Sequence, residues 1–107
     1  MKSLNNSELL LEMKVAVKNE RDSIIIVLRH LKEIDLRRLH LALGFKSLFE
    51  YCHLELKYSR AESYARIASM RLMKEVKTVE AQIEKGALGL TQAVDLFTAI
   101  KKNERES

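Results

Sequence analysis

The chain has 107 residues, with 19 lysines and arginines against 15 aspartates and glutamates, and a formal net charge of +4. This length supports one hydrophobic core but not a core plus an elaborate enzymatic cleft. We therefore expect a single helical domain over residues 1–107 with frayed ends at 1–6 and 103–107. Glycine occurs only three times and proline is absent, and this scarcity of chain breakers predicts an all-α fold.

Two helices are predicted in the first third of the chain. Residues 7–18 form an amphipathic helix, and its apolar residues near one face are Leu9, Leu10, Met13 and Val17. Asn19, with Asp22 three residues on, is a candidate N-cap for a second helix over 20–33. That second helix is apolar almost all round, so we place it at the centre of the bundle.

Residues 24–28 are five consecutive aliphatic residues, a run that taken alone also fits a buried strand. We favour a helix because Leu31 and Ile34 continue the helical spacing and no turn residues bound the run. The segment is therefore expected to be helical and mostly buried. Residues 36–43 continue as helix and end at Gly44, which accepts the positive φ of a residue just past a helix.

Two helix-start signatures stand twelve residues apart in the middle of the chain. Ser47 is followed three residues later by Glu50, and Ser59 is followed three residues later by Glu62. In such a capping box the serine hydroxyl accepts from the amide three residues on, while the glutamate accepts from the serine amide. The two boxes predict a helix, a tight turn and a second helix, at residues 48–56, 57–59 and 60–74. This is the layout of a helix-turn-helix DNA-binding motif.

The C-terminal third is predicted to hold two more helices. Thr78 begins a short helix over 79–85 that Gly86 ends, and Thr91 caps a last helix over 92–102. The inner face of the last helix is predicted to be Ala93, Leu96, Phe97 and Ile100. The whole chain is thus expected to be an all-α bundle of about six or seven helices.

The segment that contains the second helix of the pair, residues 57–77, carries the net charge of the chain. Residues 57–77 hold six basic and two acidic residues, whereas the rest holds 13 of each. A local excess of this kind attracts a phosphate backbone. A helical wheel of residues 59–74 places Ala61, Ala65, Ala68 and Leu72 toward the core, with Tyr64 at the edge and Arg71 beside it.

The opposite arc of that wheel supplies the predicted DNA contacts. They are the polar and basic residues Ser63, Arg66 and Lys74, joined by Arg60 at the positive end of the helix dipole and by Arg71. Arg37 and Arg38 form a second basic cluster that extends a phosphate track if both project to the same side. A solvated basic surface is the alternative interpretation of both clusters.

Three apolar residues on this arc, Ile67, Met70 and Met73, are unsuited to a solvated face. Contact with thymine methyl groups is one interpretation. Packing against the C-terminal helices or another chain is favoured over it. A protein-interaction or dimerisation module, using these residues or the apolar first helix, is therefore the alternative function.

A longer stretch resembles a known family. LRHLKEID, RRLHLALGF, SLFEYC, LKYS, ARIASMRL and EKGALGLT follow one another over roughly residues 20–93. Their order and spacing are similar to the N-terminal helical domain of a group of bacterial HNH endonucleases, in which a nuclease module follows. The resemblance implies a bacterial DNA-targeting domain. Lys57 replaces a glycine usual in such turns, Lys77 replaces a common proline, and Ser63 occupies a position of the helix-turn-helix pattern that is normally apolar.

The chemistry of the nuclease is not expected in this chain. An HNH centre needs a histidine pair with a further His or Asn around a divalent ion, but His30, His40 and His53 fall on different predicted helices. Cys52 stands alone, so no C-x-x-C supports a metal finger, and it is typical of a reducing compartment. We expect no enzyme, no cofactor and no metal site.

The partners follow from these observations. No stretch approaches the ~20 apolar residues of a membrane span and no signal peptide is evident, which predicts a cytoplasmic protein. Double-stranded DNA is the expected partner, with a homodimer as a further expectation. Salt distinguishes the two functions, because DNA binding weakens steeply as salt rises and hydrophobic association does not.

Overall fold

The structure, a computed structural model, describes residues 3–106 as helices joined by short turns, without a strand in that range. The six α-helices are α1 (Asn6–Arg37), α2 (Leu39–Ala42), α3 (Leu48–Glu50), α4 (Arg60–Glu75), α5 (Val79–Lys85) and α6 (Leu90–Glu106), and a π-helical turn, Tyr51–Glu55, extends α3. The predicted all-α bundle with a helix-turn-helix-like pair is confirmed. Residues 1, 2 and 107 lie outside the described part.

The first 32 helical residues form one continuous helix, not the two predicted. Asn5 caps α1 because its Oδ1 accepts from the Glu8 amide at 2.9 Å. Asn19 lies inside the helix and caps nothing, since no glycine or proline interrupts the chain there. Residues 24–28 are helical as predicted, with Ile25 and Leu28 buried, although Ile26 is 50% exposed.

Helix α1 ends where Arg38 adopts a left-handed conformation with φ 56°. Its amide donates to the carbonyl oxygens of Ile34 and Asp35, which are otherwise unpaired at a helix end. The predicted helix over 36–43 is therefore broken into the end of α1 and the single turn α2. Gly44 has the positive φ predicted for it, 95°.

Helix α4, and not the predicted helix over 20–33, lies at the centre and contacts α1, α3, α5 and α6. The core that surrounds it is built from all of these elements: Ile25, Leu28, Leu31, Leu48, Cys52, Ile67, Met70, Leu72, Met73, Val79, Ile83 and Ala93. On the surface, Arg29 of α1 bonds Glu80 and Glu84 of α5 at 2.8 and 3.4 Å. This cluster joins the two helices at one edge of the core.

The C-terminal helices follow the predicted order with different caps. Gly86 ends α5 as predicted, in a left-handed conformation, but the Thr78 side chain makes no capping hydrogen bond. Helix α6 begins at Leu90, where the Gln92 side chain accepts from the Gly89 amide at 2.9 Å, so the predicted cap at Thr91 is wrong.

The inner face of α6 differs from the prediction at one position. Ala93 is fully buried and Phe97 and Ile100 pack against the core. Leu96 is 45% exposed and does not belong to that face. Helix α6 continues through 103–106, the stretch expected to be frayed.

The N-terminal half of α1 extends beyond the bundle. Its predicted inward residues Leu9, Leu10 and Met13 are 44%, 67% and 60% exposed. The first predicted helix is thus helical, but its apolar face is not covered by the described chain. The molecule measures 53 × 35 × 21 Å, and this projecting helix accounts for an elongated shape.

Candidate nucleic-acid interface

Two serine caps build the helix pair, as the sequence predicted. The Ser47 hydroxyl accepts from the Glu50 amide at 3.0 Å, and the Ser59 hydroxyl accepts from the Glu62 amide at 3.1 Å. The second box is reciprocal, because the Glu62 carboxylate accepts from the Ser59 amide at 2.9 Å. These bonds to Ser59 lower the pKa of Glu62. In the first box the Glu50 carboxylate faces the Lys46 amide, at 3.5 Å, instead of the serine amide.

The turn between the helices adopts the conformation that glycine would favour. Lys57 has a φ of 67°, in the left-handed region that side chains with a Cβ rarely enter. The Cys52 carbonyl oxygen accepts from the Tyr58 amide at 3.2 Å, and the Tyr58 carbonyl oxygen accepts from His53 Nδ1 at 2.8 Å. These bonds tie the turn to the π-helical turn before it, so Lys57 is held where the sequence pattern usually has glycine.

The helical wheel proposed for α4 is wrong about its inner face. The structure buries Ser63, Ile67, Met70 and Met73, which the wheel assigned to or beside the outer arc, and it exposes Ala61. Ala68 and Leu72 are buried as predicted, and so is Ser69. The reason is that α4 is enclosed by four other helices, so it buries most of its circumference. Burying a methionine or isoleucine also gains about 1.5–3 kcal/mol, much more than burying an alanine.

Three of the seven predicted DNA contacts are exposed on α4: Arg60, Arg71 and Lys74. Tyr64 lies between Arg60 and Arg71 with 48% of its surface exposed. Arg60, Tyr64 and Arg71, which we call the α4 strip, follow a spacing of four and seven residues and thus share one helix face. Arg60 and Arg71 are separated by about 16 Å along the helix axis.

Two other predicted contacts turn away from the solvent. Ser63 is completely buried, so the prediction that it reaches DNA is wrong. Arg66 is half-buried, with its guanidinium 4.4 Å from the centre of the Tyr58 ring and one nitrogen donating to the Glu62 carbonyl oxygen at 3.2 Å. Arg66 therefore supports the turn, and its charge is engaged within the chain.

The remaining predicted contacts lie near the opposite end of α4. Lys74 is 3.8 Å from Asp35 and, with Arg38, lines a shallow polar hollow. Arg37 is paired with Glu33 at 2.8 Å. All three predicted contacts are exposed, and Lys74 lies one helical turn beyond Arg71 of the strip.

A small apolar hollow of about 170 Å³ adjoins the strip. Tyr64 and Arg71 of α4 form one wall, and Phe49 after the Ser47 cap and Phe97 of α6 contribute to the others. The strip is thus a basic and aromatic ridge between α3 and α6. The wheel missed Tyr64 as a candidate. The helix-turn-helix pattern could have identified it. That pattern has an apolar, inward-facing residue at position 63, and residue 64 follows it directly on the helix.

The histidines and the cysteine are engaged in the fold. The Ile26 carbonyl oxygen accepts from His30 Nδ1 at 2.8 Å, and His40 is buried. Burial also raises the pKa of the Cys52 thiol. Over residues 3–106, no group of three or more His, Cys, Asp or Glu side chains is arranged to hold a metal ion. Nor does any helix in that range have the length and apolar character to span a membrane.

Comparison with protein families, curated proteins and solved structures finds no match to this chain. The functional interpretation therefore depends on the residues and their arrangement.

Proposed function

We propose that this chain is a module that binds double-stranded DNA through the α4 strip. The observation that carries the proposal is the placement of Arg60, Tyr64 and Arg71 on the one open face of the second helix of a capped helix pair. In helix-turn-helix proteins the second helix enters the major groove, and its N-terminal residues contact the bases. Arg60 occupies the N-terminal position of α4, and the strip gives the helix a basic outward face.

The charges of residues 57–77 support an anionic partner. Both acidic residues of this segment have partners within the chain, because Glu62 accepts from the Ser59 amide and Glu75 pairs with Lys101 of α6. Arg60 and Arg71 lie on the exposed face, and Lys57 and Lys77 are exposed in the turns at the two ends of α4. The positive charge is therefore directed outward, as attraction to phosphates requires.

The alternative function, a protein-interaction module that uses apolar residues of α4, has no exposed surface to act through. Ile67, Met70 and Met73 are 6%, 0% and 4% exposed because they form the core of this chain. An apolar partner has no access to them. Protein interaction through the first helix is a separate matter, since that helix does expose apolar side chains.

The resemblance to HNH endonucleases supports a targeting role for the module. In a protein of that kind, a domain that holds duplex DNA in place would serve a nuclease module located elsewhere in the polypeptide. The order of the shared sequence words is the support for this assignment. The reading frame downstream of Ser107 tests it, because an HNH module there agrees with the proposal and an unrelated sequence argues against it.

The DNA proposal predicts the effect of removing the strip. Arg60→Ala and Arg71→Ala should each weaken duplex binding, and each should lower the salt slope of the binding constant by about one if the lost contact is to phosphate. Fluorescence anisotropy with a labelled duplex at several salt concentrations measures both quantities. Lys32→Ala, the loss of an exposed cation on α1, is the matched control and should change neither.

Two outcomes would overturn the proposal. One is a folded wild-type chain that binds no duplex at low salt. The other is an Arg60→Ala/Arg71→Ala double variant that binds as tightly as the wild type. Circular dichroism of each variant verifies that the helices are intact, which is expected because both arginines are exposed.

A further inference from the structure

The N-terminal half of α1 carries a cluster of exposed apolar side chains. Within residues 9–15, five large apolar side chains are 44–67% exposed: Leu9, Leu10, Leu11, Met13 and Val15. Clustered exposure of this size on a soluble domain is a sign of an interaction surface. A free helix of about 15 residues is also only marginally stable in water. This half of α1, residues 6–20, is called the arm.

One face of the arm continues a seam that is covered further along the same helix. Alternating steps of three and four residues connect eight positions of α1: Leu10, Met13, Val17, Glu20, Ile24, Val27, Leu31 and Ile34. From Ile24 onward these residues pack on the core, with Leu31 2% exposed. Leu10 and Met13 continue the same seam at 67% and 60% exposure. A seam with this spacing is covered by a second helix laid along it.

The charge of the arm favours another copy over DNA or lipid. Its charged residues are Glu8, Glu12, Lys14, Lys18 and Glu20. Duplex DNA and anionic membranes both require a basic surface, and here acidic residues outnumber basic ones. Two nearly neutral arms approach each other with little repulsion.

We propose that two copies of the chain associate through antiparallel pairing of their arms. A parallel pair would bring both bundles to the same end, where α4 and α5 already cover the continuation of the seam. An antiparallel pair sends the bundles in opposite directions and closes the assembly with a two-fold axis. With that axis at Met13, residue 6 of one copy lies level with Glu20 of the other, and Leu9 lies level with Val17.

A cavity at the end of the arm receives the second helix. It measures about 380 Å³, and its walls include Glu20, Arg21, Ile24, Ile83, Leu88 and Leu90. In the antiparallel arrangement the first turn of the second arm reaches this cavity. Glu20 is the one charged residue of the seam, and it then faces the positive N-terminal end of the second helix, which stabilises a carboxylate.

The size of the arm sets the expected affinity. A 15-residue helix is about 22 Å long, and two such helices packed along their length bury on the order of 1,000 Å² of accessible surface together, just below the usual range of stable interfaces. The dimer should therefore dissociate in the micromolar range. Its formation does not require DNA, so it stands or falls independently of the proposed function.

Sedimentation velocity of the full chain between about 1 and 300 µM tests the dimer. The average mass should rise toward twice that of the monomer. Leu10→Glu/Met13→Glu should weaken association more than tenfold, because it places two carboxylates in each copy of the seam. Val15→Glu is the matched control. Val15 is 52% exposed on the same arm but lies about 140–160° around the helix from the seam, so this variant should associate within about twofold of the wild type.

Disulfide trapping tests the direction of pairing. An oxidised mixture of Leu9→Cys and Val17→Cys chains should form the mixed dimer, whereas Leu9→Cys alone should not cross-link efficiently. The native Cys52 is fully buried and does not interfere. Efficient self-linking of Leu9→Cys would reject the antiparallel arrangement.

Three further results would overturn the dimer. The wild type could remain monomeric at the highest concentration. Val15→Glu could disrupt association as strongly as the seam variant, which would show unspecific apolar contact. The arm could instead bind vesicles of anionic phospholipid while the chain stays monomeric, and loss of that binding in the seam variant would identify a lipid surface as its partner.

Discussion

At the scale of single residues, the hydrogen bonds made by side chains next to the turn at residues 57–59 explain why α4 begins directly after it. Ser59 and Glu62 satisfy each other's amides, and Lys57 accepts a left-handed conformation that the neighbouring bonds impose. The first feature stabilises the turn and the second strains it. Both effects are local, so single substitutions can measure them.

Lys57→Gly should stabilise the chain by about 0.5 kcal/mol. Removing the Cβ relieves on the order of 1 kcal/mol of left-handed strain, and the greater flexibility of glycine in the unfolded chain offsets part of this gain. Urea unfolding measures the difference. Lys77→Gly is the matched control at an exposed turn position without positive φ, and it should destabilise. A loss of stability in Lys57→Gly would show that the lysine side chain itself holds the turn.

Glu62→Gln should alter the dependence of stability on pH. Because the bonds to Ser59 lower the pKa of Glu62 in the folded chain below its ordinary 4.5, its ionised form adds stability above that value. This contribution is lost as pH falls through the lowered pKa. Glutamine keeps the capping bond without the charge. The difference between wild type and variant in unfolding free energy should thus be constant near pH 7 and shrink toward pH 3. A difference that does not change with pH would contradict this account.

At the scale of elements, the orientation of α4 decides which residues are available. Its inner face includes two serines, Ser63 and Ser69. In contrast, an alanine and a tyrosine that would suit a core, Ala61 and Tyr64, are exposed. Small side chains at 63 and 69 allow neighbouring helices to approach closely. Because the rotation of α4 about its axis turns this face inward, the opposite face, with Arg60 and Arg71, is exposed to solvent.

A matched pair of substitutions tests that orientation. Ala61→Glu should change stability by no more than about 0.5 kcal/mol, because the site is exposed and an acidic residue suits the first turn of a helix. Ser63→Glu should cost about 3–5 kcal/mol, because it buries a charge without a partner. Thermal unfolding monitored by circular dichroism compares the two. Equal tolerance at both positions would show that α4 is rotated differently.

At the scale of the whole molecule, one helix belongs to two environments. The second half of α1 contributes Ile25, Leu28 and Leu31 to the core, whereas the arm extends from the bundle with its apolar residues exposed. Continuous hydrogen bonding holds both halves in one helix, but tertiary contacts stabilise only one. The stability of α1 should therefore vary along its length.

Hydrogen exchange should reveal this gradient. In dilute protein, amides of residues 9–16 should exchange faster than those of 25–34, because the arm opens without disrupting the core. Mass spectrometry of peptides from the two halves measures the rates. Raising the protein concentration should slow exchange in the arm if it pairs with a second copy. Uniform protection along α1 in dilute solution would mean that the arm is stabilised within a single chain.

Local chemistry made much of the fold predictable from sequence. The serine caps, the left-handed glycine at 44, the helix end at 86, the helicity of 24–28 and the all-α class all depend on residues within a few positions of one another. The continuous α1 was missed because the candidate cap at Asn19 looked sufficient to start a helix. A cap acts only where the helix before it ends, and nothing in the chain ends it there.

The sequence by itself thus determined the all-α class, the boundaries of α4 and α5 and the position of the basic segment along the chain. Only the tertiary structure decided which faces are covered. The structure adds Tyr64 to the predicted candidate site and removes Ser63 and Arg66 from it. It also leaves the leucines of the arm exposed. The physical reason is that a cap is a bond between near neighbours, whereas burial depends on which distant helices pack on each side. The periodicity of one helix cannot specify those neighbours when apolar residues occur on several of its faces.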